Sequence, residues 1–402
     1  MSGMDLAPLA IRDATTKLLL VVMDGLGGYA DADHDTELEE AATPNLDALA
    51  ADGITGLVEP VGPGITPGSG PGHLALFGYD PEVFELGRGA LSAAGLEFEL
   101  APGDVAARGN FATLAPDGTI LDRRAARIPD PEATAVVERL RAEVKLGNGV
   151  ELFFVPEREH RVLVVLRGEG LDPRITDTDP QKAGVPPLES SALDPQAKKT
   201  AELVNELSKQ VREALRDEPK ANGLLLRGFD SLRELPSFGD RYGLRAGAVA
   251  IYPMYRGIAR ILGMDVLGRP KDLDEQIAVV REAWNDYDYF FLHHKYTDSA
   301  GEDGDRPRKV AAIEQLDSAV PALRGLGPDV FVVSGDHATP TQMAAHSWHP
   351  VPTLLWSTRR QRDAVDRFGE RWCAGGALGI RPTKTLMPVM LAHAGRLKKY
   401  GA

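Results

Sequence analysis

Four runs of apolar residues stand out along the chain, and each has a polar side chain able to bind a cation beside it. The runs are Leu18–Met23, Tyr287–Leu292, Asp329–Val333 and Val351–Leu355. Runs of this length and composition are typical of strands that are buried on both faces of a parallel sheet. Open α/β sheets bind ligands at the carboxyl ends of their strands, so the acids and histidines near these runs are candidate site residues.

Apolar residues at helical spacing lie between the predicted strands. Thr43 is a predicted N-cap with Pro44 in the first helical position, and Asp272 with Glu275 forms a capping-box pattern. Residues 308–320 carry apolar side chains spaced for one face of a helix. Strands that alternate with helices predict a largely parallel sheet covered by helices on both sides.

Six side chains near the predicted strands offer carboxylate oxygens or imidazole nitrogens. They are Asp24, Asp298, Glu302, Asp336, His337 and His346. A single zinc with an open position needs only three protein ligands, whereas six groups suit two metals that share a site. This mixture of oxygen and nitrogen ligands suits divalent ions, with Mn or Mg expected first and Zn or Co as alternatives.

These six residues are far apart in sequence but must meet at one edge of a sheet, which predicts a discontinuous domain. Residues 1–90 and 245–402 would form this metal-binding domain, and residues 91–244 would form a smaller inserted α/β domain. The insert has helical patterns at 131–146 and 195–215, and strand-like segments at 161–166 and 224–226.

The loop Pro63–His73 is rich in glycine and proline and contains one serine, Ser69. Its small side chains would let a substrate approach the backbone closely. Serine is a poor nucleophile at its ordinary pKa, but coordination to a metal can hold it as an alkoxide without a histidine base. Ser69 is therefore the predicted nucleophile.

Composition narrows the class of function. The 402 residues carry a net charge of −14 without a sustained basic run, so nucleic acid and anionic membranes are not expected partners. The single Cys373 excludes an intramolecular disulfide. No secretory signal or membrane-length apolar stretch is apparent, which predicts a cytoplasmic protein that acts on a small molecule.

Ordered motifs from about Lys17 to Met390 resemble one enzyme family. They include Asp24–Gly27, Thr43–Asp47, Thr66–Ser69, His73–Pro81, Asn110–Thr113, Asp122–Ile128, Thr176–Pro180, Lys295–Gly301, Gly335–His337 and His346–Pro352. The chain resembles the cofactor-independent phosphoglycerate mutases of the archaeal type, within the alkaline phosphatase superfamily. The resemblance implies an alkaline-phosphatase-like fold and interconversion of 2- and 3-phosphoglycerate without 2,3-bisphosphoglycerate.

The resemblance also divides the ligands into two sets. Asp24, Ser69, Asp336 and His337 would surround one metal, and Asp298, Glu302 and His346 the other. Many relatives have histidine at the position of Glu302, and the glutamate here would favour harder ions such as Mg or Mn. Alternatively Glu302 is no ligand, and Asp303, Asp305 or His349 compensates. The segment Gly70–Gly72 is a second difference from the family, in which a more polar segment is expected after the serine. It leaves open which substrate contacts are made near Ser69.

Arginines of the insert are the predicted substrate-binding groups. Arg123, Arg124 and Arg127 form a cluster, while Arg167 and Arg227 each follow a predicted strand and precede glycine. Guanidinium groups bind both carboxylate and phosphate through paired hydrogen bonds, and a phosphoglycerate carries both anions. The resemblance implies that the insert binds the glycerate portion, and its motifs add His73 and Asp122 to the candidate substrate contacts.

The resulting hypothesis is transfer of the phosphoryl group to Ser69 and back to the other hydroxyl of glycerate. Lys295 is the candidate for stabilising the departing glycerate oxygen. A metal-dependent phosphatase, or a phosphotransferase to another small alcohol such as homoserine, would use the same core. A protein that has lost catalysis and senses phosphometabolites is a further alternative, although the predicted ligands and nucleophile argue against it.

Overall fold

The computed structural model describes residues 6–84, 86–147, 149–232 and 235–401. Strands and helices are numbered along the chain. The strands are β1 Leu18–Met23, β2 Ile54–Glu59, β3 Val105–Leu114, β4 Ile120–Asp122, β5 Glu151–Pro156, β6 Arg161–Arg167, β7 Gly223–Asp230, β8 Ala246–Val249, β9 Asp265–Val266, β10 Tyr289–His294, β11 Val330–Ser334, β12 Val351–Ser357 and β13 Gly379–Pro382.

Helices connect most of these strands. They are α1 Glu37–Glu40, α2 Pro44–Ala51, α3 Ser69–Leu76, α4 Arg88–Gly95, α5 Asp130–Glu143, α6 Lys198–Ala214, α7 Phe238–Tyr242, α8 Pro253–Ile261, α9 Leu273–Glu282, α10 Tyr296–Glu302, α11 Arg306–Arg324, α12 Glu370–Cys373 and α13 Leu386–His393. Short 3₁₀ turns occupy Ala125–Arg127, Pro195–Ala197 and Thr383–Thr385. None of the described helices is both long and apolar enough to cross a membrane.

The chain divides into two compact units. Unit 1 comprises residues up to 85 and from 235 onward, and unit 2 comprises residues 86–234. The sequence had placed the boundaries near residues 90 and 245, so α7 belongs to unit 1 in the structure and not to the insert. Each unit has its own sheet.

Unit 1 contains an eight-stranded sheet in the order β13-β2-β12-β11-β1-β10-β8-β9. All neighbours are parallel except β12, which runs antiparallel to β11 and β2. The prediction of a largely parallel sheet is confirmed. Every residue of β1 is fully buried, and Leu19 and Val21 share a core with side chains of α2, α9 and α11. α13 contacts β11 and α8 contacts β8, so helices flank the sheet.

Helix starts in unit 1 follow the sequence signals with two differences. Asp272 caps α9 by accepting a hydrogen bond from the Glu275 backbone, but the Glu275 carboxylate accepts from the Lys271 backbone. Thr43 is the N-cap residue of α2 and makes no side-chain capping bond. Instead, Asp317 of α11 accepts hydrogen bonds from the first backbone N–H groups of α2. A tertiary contact therefore satisfies the donors that the local motif leaves unpaired.

Unit 2 contains a five-stranded antiparallel sheet with the path β4-β3-β6-β5 and with β7 paired to β3. Val137 and Leu140 of α5, with Val204 and Leu207 of α6, pack in one core with side chains of β3, β6 and β7. Ala93 of α4 belongs to a smaller cluster formed with residues of β3 and β6. The insert is therefore α/β, as predicted, with antiparallel pairing.

Candidate metal and phosphotransfer site

Parallel pairing brings the predicted ligands of unit 1 to one edge of its sheet. β1 lies between β10 and β11, with Val22 in register with His293 and Ser334. Asp24 follows β1, and Asp336 and His337 follow β11, so these side chains emerge side by side. The ligand atoms of Asp24, Asp336 and His337 lie within 4.8 Å of one another, and all three residues are buried.

Ser69 is the first residue of α3 and faces this group. Its Oγ lies 3.2 Å from His337 Nε2. The small residues after Ser69 have a structural reason, because a Cβ on Gly72 would lie 2.2 Å from the Asp336 carbonyl oxygen. That spacing requires glycine and lets α3 approach the ligand loop closely.

Within the described residues, two buried oxygens of this group, Asp24 Oδ1 and Asp336 Oδ2, lack a hydrogen-bond partner. They lie 3.3 Å from His337 Nε2. Burial would raise the pKa of Asp24, but Lys295 and His293 hold it well below its usual range, so the carboxylate is ionised. Burial lowers the pKa of His337, which keeps the imidazole neutral. Unpaired buried oxygens beside a neutral imidazole fit a divalent cation.

Asp298, His337 and His346 form a second group of the same size. His346 Nε2 lies 3.5 Å from Asp298 Oδ1, and its Nδ1 lies 3.0 Å from the Pro67 carbonyl, to which it can donate. That bond leaves Nε2 free as a ligand. The rings of His337 and His346 stack 3.7 Å apart. The resemblance implied that His337 binds one metal only, whereas the structure places it within reach of both groups.

Glu302 joins neither group within the part of the chain that the structure describes. Its Oε1 lies 3.9 Å from His346 Nε2, and its side chain is 58% exposed. The three residues considered as substitutes are engaged elsewhere. Asp303 pairs with Arg308, Asp305 caps α11, and His349 stacks on Tyr29.

Lys295 lies between the two groups. Its Nζ is 3.1 Å from Asp24 Oδ2 and also donates to Asp298 Oδ2. Although burial lowers the pKa of Lys295, these carboxylates raise it well above its usual value. Lys295 is therefore a charged ammonium at the predicted site, where it can stabilise negative charge on a leaving oxygen.

A layer of buried side chains supports the ligands from behind. His73 Nδ1 lies 2.8 Å from the Ser69 carbonyl and 3.1 Å from Asp336 Oδ2, and its side chain is fully buried. His73, predicted as a substrate contact, therefore lies behind Asp336 and Ser69. His293 Nε2 lies 3.0 Å from Asp24 Oδ2, and its ring stacks 3.7 Å from that of Tyr255. His293 is not among the residues predicted for the site, although its place near the end of β10 beside Lys295 was a usable signal.

The predicted arginines of unit 2 differ in their surroundings. Arg167 makes paired hydrogen bonds with Asp104 and lies over the Phe153 ring, and Arg123 makes paired bonds with Asp179. Arg127 is exposed. The remaining candidate, Asp122, accepts hydrogen bonds from the Arg124 and Ala126 backbones and so shapes its own turn.

Arg227 and Arg108 carry charge without comparable pairing. They face each other across β7 and β3, and the Nε atoms of both are buried without a partner among the described residues. Burial and the nearby positive charge of Arg88 lower the pKa of Arg227 to about 10. Burial and the nearby positive charge of Arg227 lower the pKa of Arg108 to about 9. Like charges directly opposite each other destabilise a sheet unless an anion lies between them. Arg108 was missed because a lone arginine inside a strand pattern carries no functional signal.

The pKa of His160 also reflects the concentration of positive charge in unit 2. This pKa is lowered to about 3, first by burial and then by Arg161, Arg124, Arg108 and Arg127. Unit 2 therefore has a region that favours anions, and unit 1 has a region that favours cations.

The fold and site define a class: an α/β enzyme with a serine facing clustered acids and histidines that fit metal ions. A family model described as 2,3-bisphosphoglycerate-independent phosphoglycerate mutase matches residues 50–221. A relative from Thermus thermophilus, named "Probable 2,3-bisphosphoglycerate-independent phosphoglycerate mutase", is 49% identical over 99% of this chain and 100% of its own. The chain belongs to the 2,3-bisphosphoglycerate-independent phosphoglycerate mutase family.

Other similar proteins agree with this assignment. A Deinococcus radiodurans relative with the same name is 49% identical over 97% of each chain. Among solved structures, the PH0037 protein from Pyrococcus horikoshii is 31% identical with a TM-score of 0.82, over 97% of this chain and 100% of that one. The cofactor-independent phosphoglycerate mutase from Thermoplasma acidophilum is 30% identical with a TM-score of 0.69, over 94% and 100%.

Proposed function

We propose that this chain interconverts 2-phosphoglycerate and 3-phosphoglycerate, without 2,3-bisphosphoglycerate, by moving the phosphoryl group to and from Ser69. The observation that carries the proposal is the position of Ser69 Oγ, 3.2 Å from His337 Nε2 and facing Asp24 and Asp336, each of which has a buried oxygen without a hydrogen-bond partner among the described residues. Family membership supports the same reaction.

Two divalent cations are the proposed cofactors, with Mn or Mg expected before Zn or Co. Asp24, Asp336, His337 and Ser69 would hold one, and Asp298 with His346 would hold the other. Glu302 is a proposed outer ligand of the second cation through modest movement of its exposed side chain. When bound, the cations would lower the pKa of the Ser69 hydroxyl and neutralise phosphate oxygens.

The residues of the chain then perform the transfer. Ser69 Oγ attacks phosphorus in line, so that a serine–phosphorus bond forms as the phosphorus–glycerate oxygen bond breaks. Lys295 stabilises the departing glycerate oxygen with its ammonium charge. The other glycerate hydroxyl then attacks the phosphoserine and regenerates Ser69. Water must be excluded meanwhile, because hydrolysis of the phosphoserine would make the enzyme a phosphatase.

Unit 2 favours a mutase over a simple phosphatase or a homoserine phosphotransferase. The buried Nε atoms of Arg108 and Arg227 lack a partner among the described residues, so these arginines suit an anion, and the glycerate carboxylate would supply one. Arg123 and Arg167 already have buried carboxylate partners, so we assign them a supporting role in holding this region.

Replacing the nucleophile tests the proposal. The Ser69→Ala variant and a matched Ser318→Ala control are incubated with 3-phosphoglycerate and Mn, Mg, Zn or Co. Ser318 is exposed, and its hydroxyl donates to the Gln315 carbonyl within α11. Phosphorus NMR follows 2-phosphoglycerate and free phosphate. We expect mutase turnover in the parent and the control but not in Ser69→Ala. Retained mutase activity in Ser69→Ala would exclude the phosphoserine route, and free phosphate as the main product of the parent would favour a phosphatase.

A further inference from the structure

The side chain of Thr339 lies between the two ligand groups and is completely buried. Its Oγ1 donates to Asp298 Oδ1 at 2.8 Å and lies 3.0 Å from His337 Nδ1. A hydroxyl has one proton, and an ionised carboxylate can only accept. The proton therefore goes to Asp298, and His337 Nδ1–H must be the donor of the second bond.

This arrangement fixes the tautomer of His337. With the proton on Nδ1, the lone pair of Nε2 faces Ser69 Oγ at 3.2 Å and Asp24 Oδ1 at 3.3 Å. Only that tautomer can use Nε2 as a ligand, and the hydrogen bond made by the other nitrogen is what selects it. One hydroxyl thus orients a ligand of each group.

The backbone of Thr339 is held as firmly as its side chain. Its N–H donates to the Gly27 carbonyl at 3.0 Å, and its carbonyl accepts from Lys309 Nζ at 2.8 Å. Lys309 is fully buried, also donates to the Gly27 carbonyl, and pairs with buried Glu37 at 3.6 Å. A buried ion pair therefore ties the loop after β1 to the loop after β11.

Two glycines leave the space that Thr339 occupies. A Cβ on Gly25 would lie 2.5 Å from Thr339 Oγ1, and a Cβ on Gly301 would lie 2.3 Å from the Thr339 carbonyl oxygen. Gly25 follows Asp24, and Gly301 belongs to α10, which carries Asp298. Both metal-binding segments thus lack a side chain at the point where they meet Thr339.

We propose that Thr339 is a positioning residue that couples the two metal sites, by holding His337 with Nε2 free and by orienting Asp298. The inference deepens the proposed function and rests on its two-cation site. It assigns Thr339 no contact with the substrate, so its loss should be seen first in metal binding and in the state of the His337 ring.

Three variants test the role. Thr339→Val removes the hydroxyl and keeps the shape, and Thr339→Ser restores the hydroxyl. Thr353→Val is the matched control, because Thr353 is equally buried and its hydroxyl bonds Ser334 at 2.7 Å in the sheet. Calorimetric titration with Mn measures affinity. We expect Thr339→Val to weaken Mn binding by about 10–100-fold, Thr339→Ser to recover most of that loss, and Thr353→Val to bind like the parent.

The His337 ring gives a readout that needs no metal. Nitrogen-15 NMR of metal-free protein distinguishes the two neutral tautomers, and a His337→Asn variant assigns the signal. The parent and Thr339→Ser should show the Nδ1–H form, and Thr339→Val should lose that preference. Parent-like Mn affinity together with the Nδ1–H form in Thr339→Val would overturn the inference. If Thr339→Val does not fold, Thr339→Ala, which adds no new atoms, is judged by the same criteria.

These measurements separate the inference from the reaction. A parent that binds Mn but produces free phosphate would contradict the mutase proposal, while the effect of Thr339→Val on Mn binding would still decide the role of Thr339. Mutase turnover with an unchanged Mn affinity and ring tautomer in Thr339→Val would reject only the role of Thr339.

Discussion

The candidate site of unit 1 and the Arg108–Arg227 pair of unit 2 contain side chains of opposite charge with buried polar atoms that lack a hydrogen-bond partner in the described part of the chain. In unit 1, buried oxygens of Asp24 and Asp336 lack hydrogen-bond partners among the described residues, whereas in unit 2 it is the buried Nε atoms of Arg108 and Arg227 that lack them. A buried polar atom of a charged group that lacks a hydrogen-bond partner is costly, so proteins usually satisfy such an atom or use it to bind a ligand. The difference in sign indicates a cation in one unit and an anion in the other.

Other charged side chains in unit 2 hydrogen-bond each other and have a structural role. Arg167 and buried Asp104 satisfy each other through two parallel hydrogen bonds, and Arg123 and buried Asp179 do the same. These groups need no ligand. Among the acids and arginines compared, a buried charged atom without a hydrogen-bond partner marks the candidate ligand-binding groups, and full pairing marks the supporting ones.

The largest effect is expected from removing Asp336, an acid with one buried oxygen that lacks a hydrogen-bond partner among the described residues. Asp336→Asn should lower mutase activity by about 10³-fold or more and reduce Mn stoichiometry from two to one, because the amide cannot replace a charged ligand. Asp104→Asn removes a paired acid and should keep both Mn ions. Calorimetry and a coupled mutase assay measure the two outcomes. Equal loss of Mn binding in both variants would show that pairing does not distinguish the acids.

A smaller effect is expected from the corresponding pair of arginines. Arg108→Gln should raise the KM for 3-phosphoglycerate by about 10–100-fold, since a charge-assisted hydrogen bond contributes about 1.5–3 kcal/mol. Arg167→Gln breaks a bond to Asp104, so it should lower the stability of unit 2 and leave KM nearly unchanged. Steady-state kinetics with thermal unfolding tests both. A larger rise in KM for Arg167→Gln than for Arg108→Gln would contradict this prediction.

The smallest effect concerns pH. The pKa of His160 in the fold is about 3, below its value of 6.5 when unperturbed, so the unfolded chain takes up the proton first as pH falls. The contribution of His160 to stability is fully present above pH 6.5 and is lost between pH 6.5 and 3. His160→Gln should therefore weaken the acid dependence of unit 2, and His34→Gln at an exposed position should not.

Hydrogen exchange of β6 amides is the suitable measurement for this prediction. All tryptophans, at 284, 348, 356 and 372, lie in unit 1, so their fluorescence does not report on unit 2. Identical acid sensitivity of β6 in the parent and the His160 variant would show that the neighbouring arginines do not perturb His160 as described.

Local sequence predicted unit 1 better than unit 2. An apolar run that ends in an acid signals both a buried strand and a ligand, and β1 with Asp24 and β11 with Asp336 follow that signal. The antiparallel direction of β12 had no such signal, because strand direction is decided by tertiary connections. In unit 2, Arg167 looked functional beside its strand and glycine, but its partner Asp104 is distant in sequence.

The residues that were missed share a physical reason. Arg108 is meaningful only because Arg227 lies opposite on another strand, and Thr339 only because His337 and Asp298 come within reach of one hydroxyl. Such roles arise from pairs of residues brought together by folding. A single sequence shows the members separately and gives no indication of their distance.

The missing side chain of Gly72 has a consequence for the attacking group. With no Cβ there, α3 rests against the Asp336 backbone, so the serine that opens this helix and the acid that would help to activate it cannot drift apart independently. The working distance of the nucleophile is thus set by the absence of one carbon atom. A methyl group at position 72 would push α3 away from the Asp336 backbone, although it would touch neither substrate nor metal.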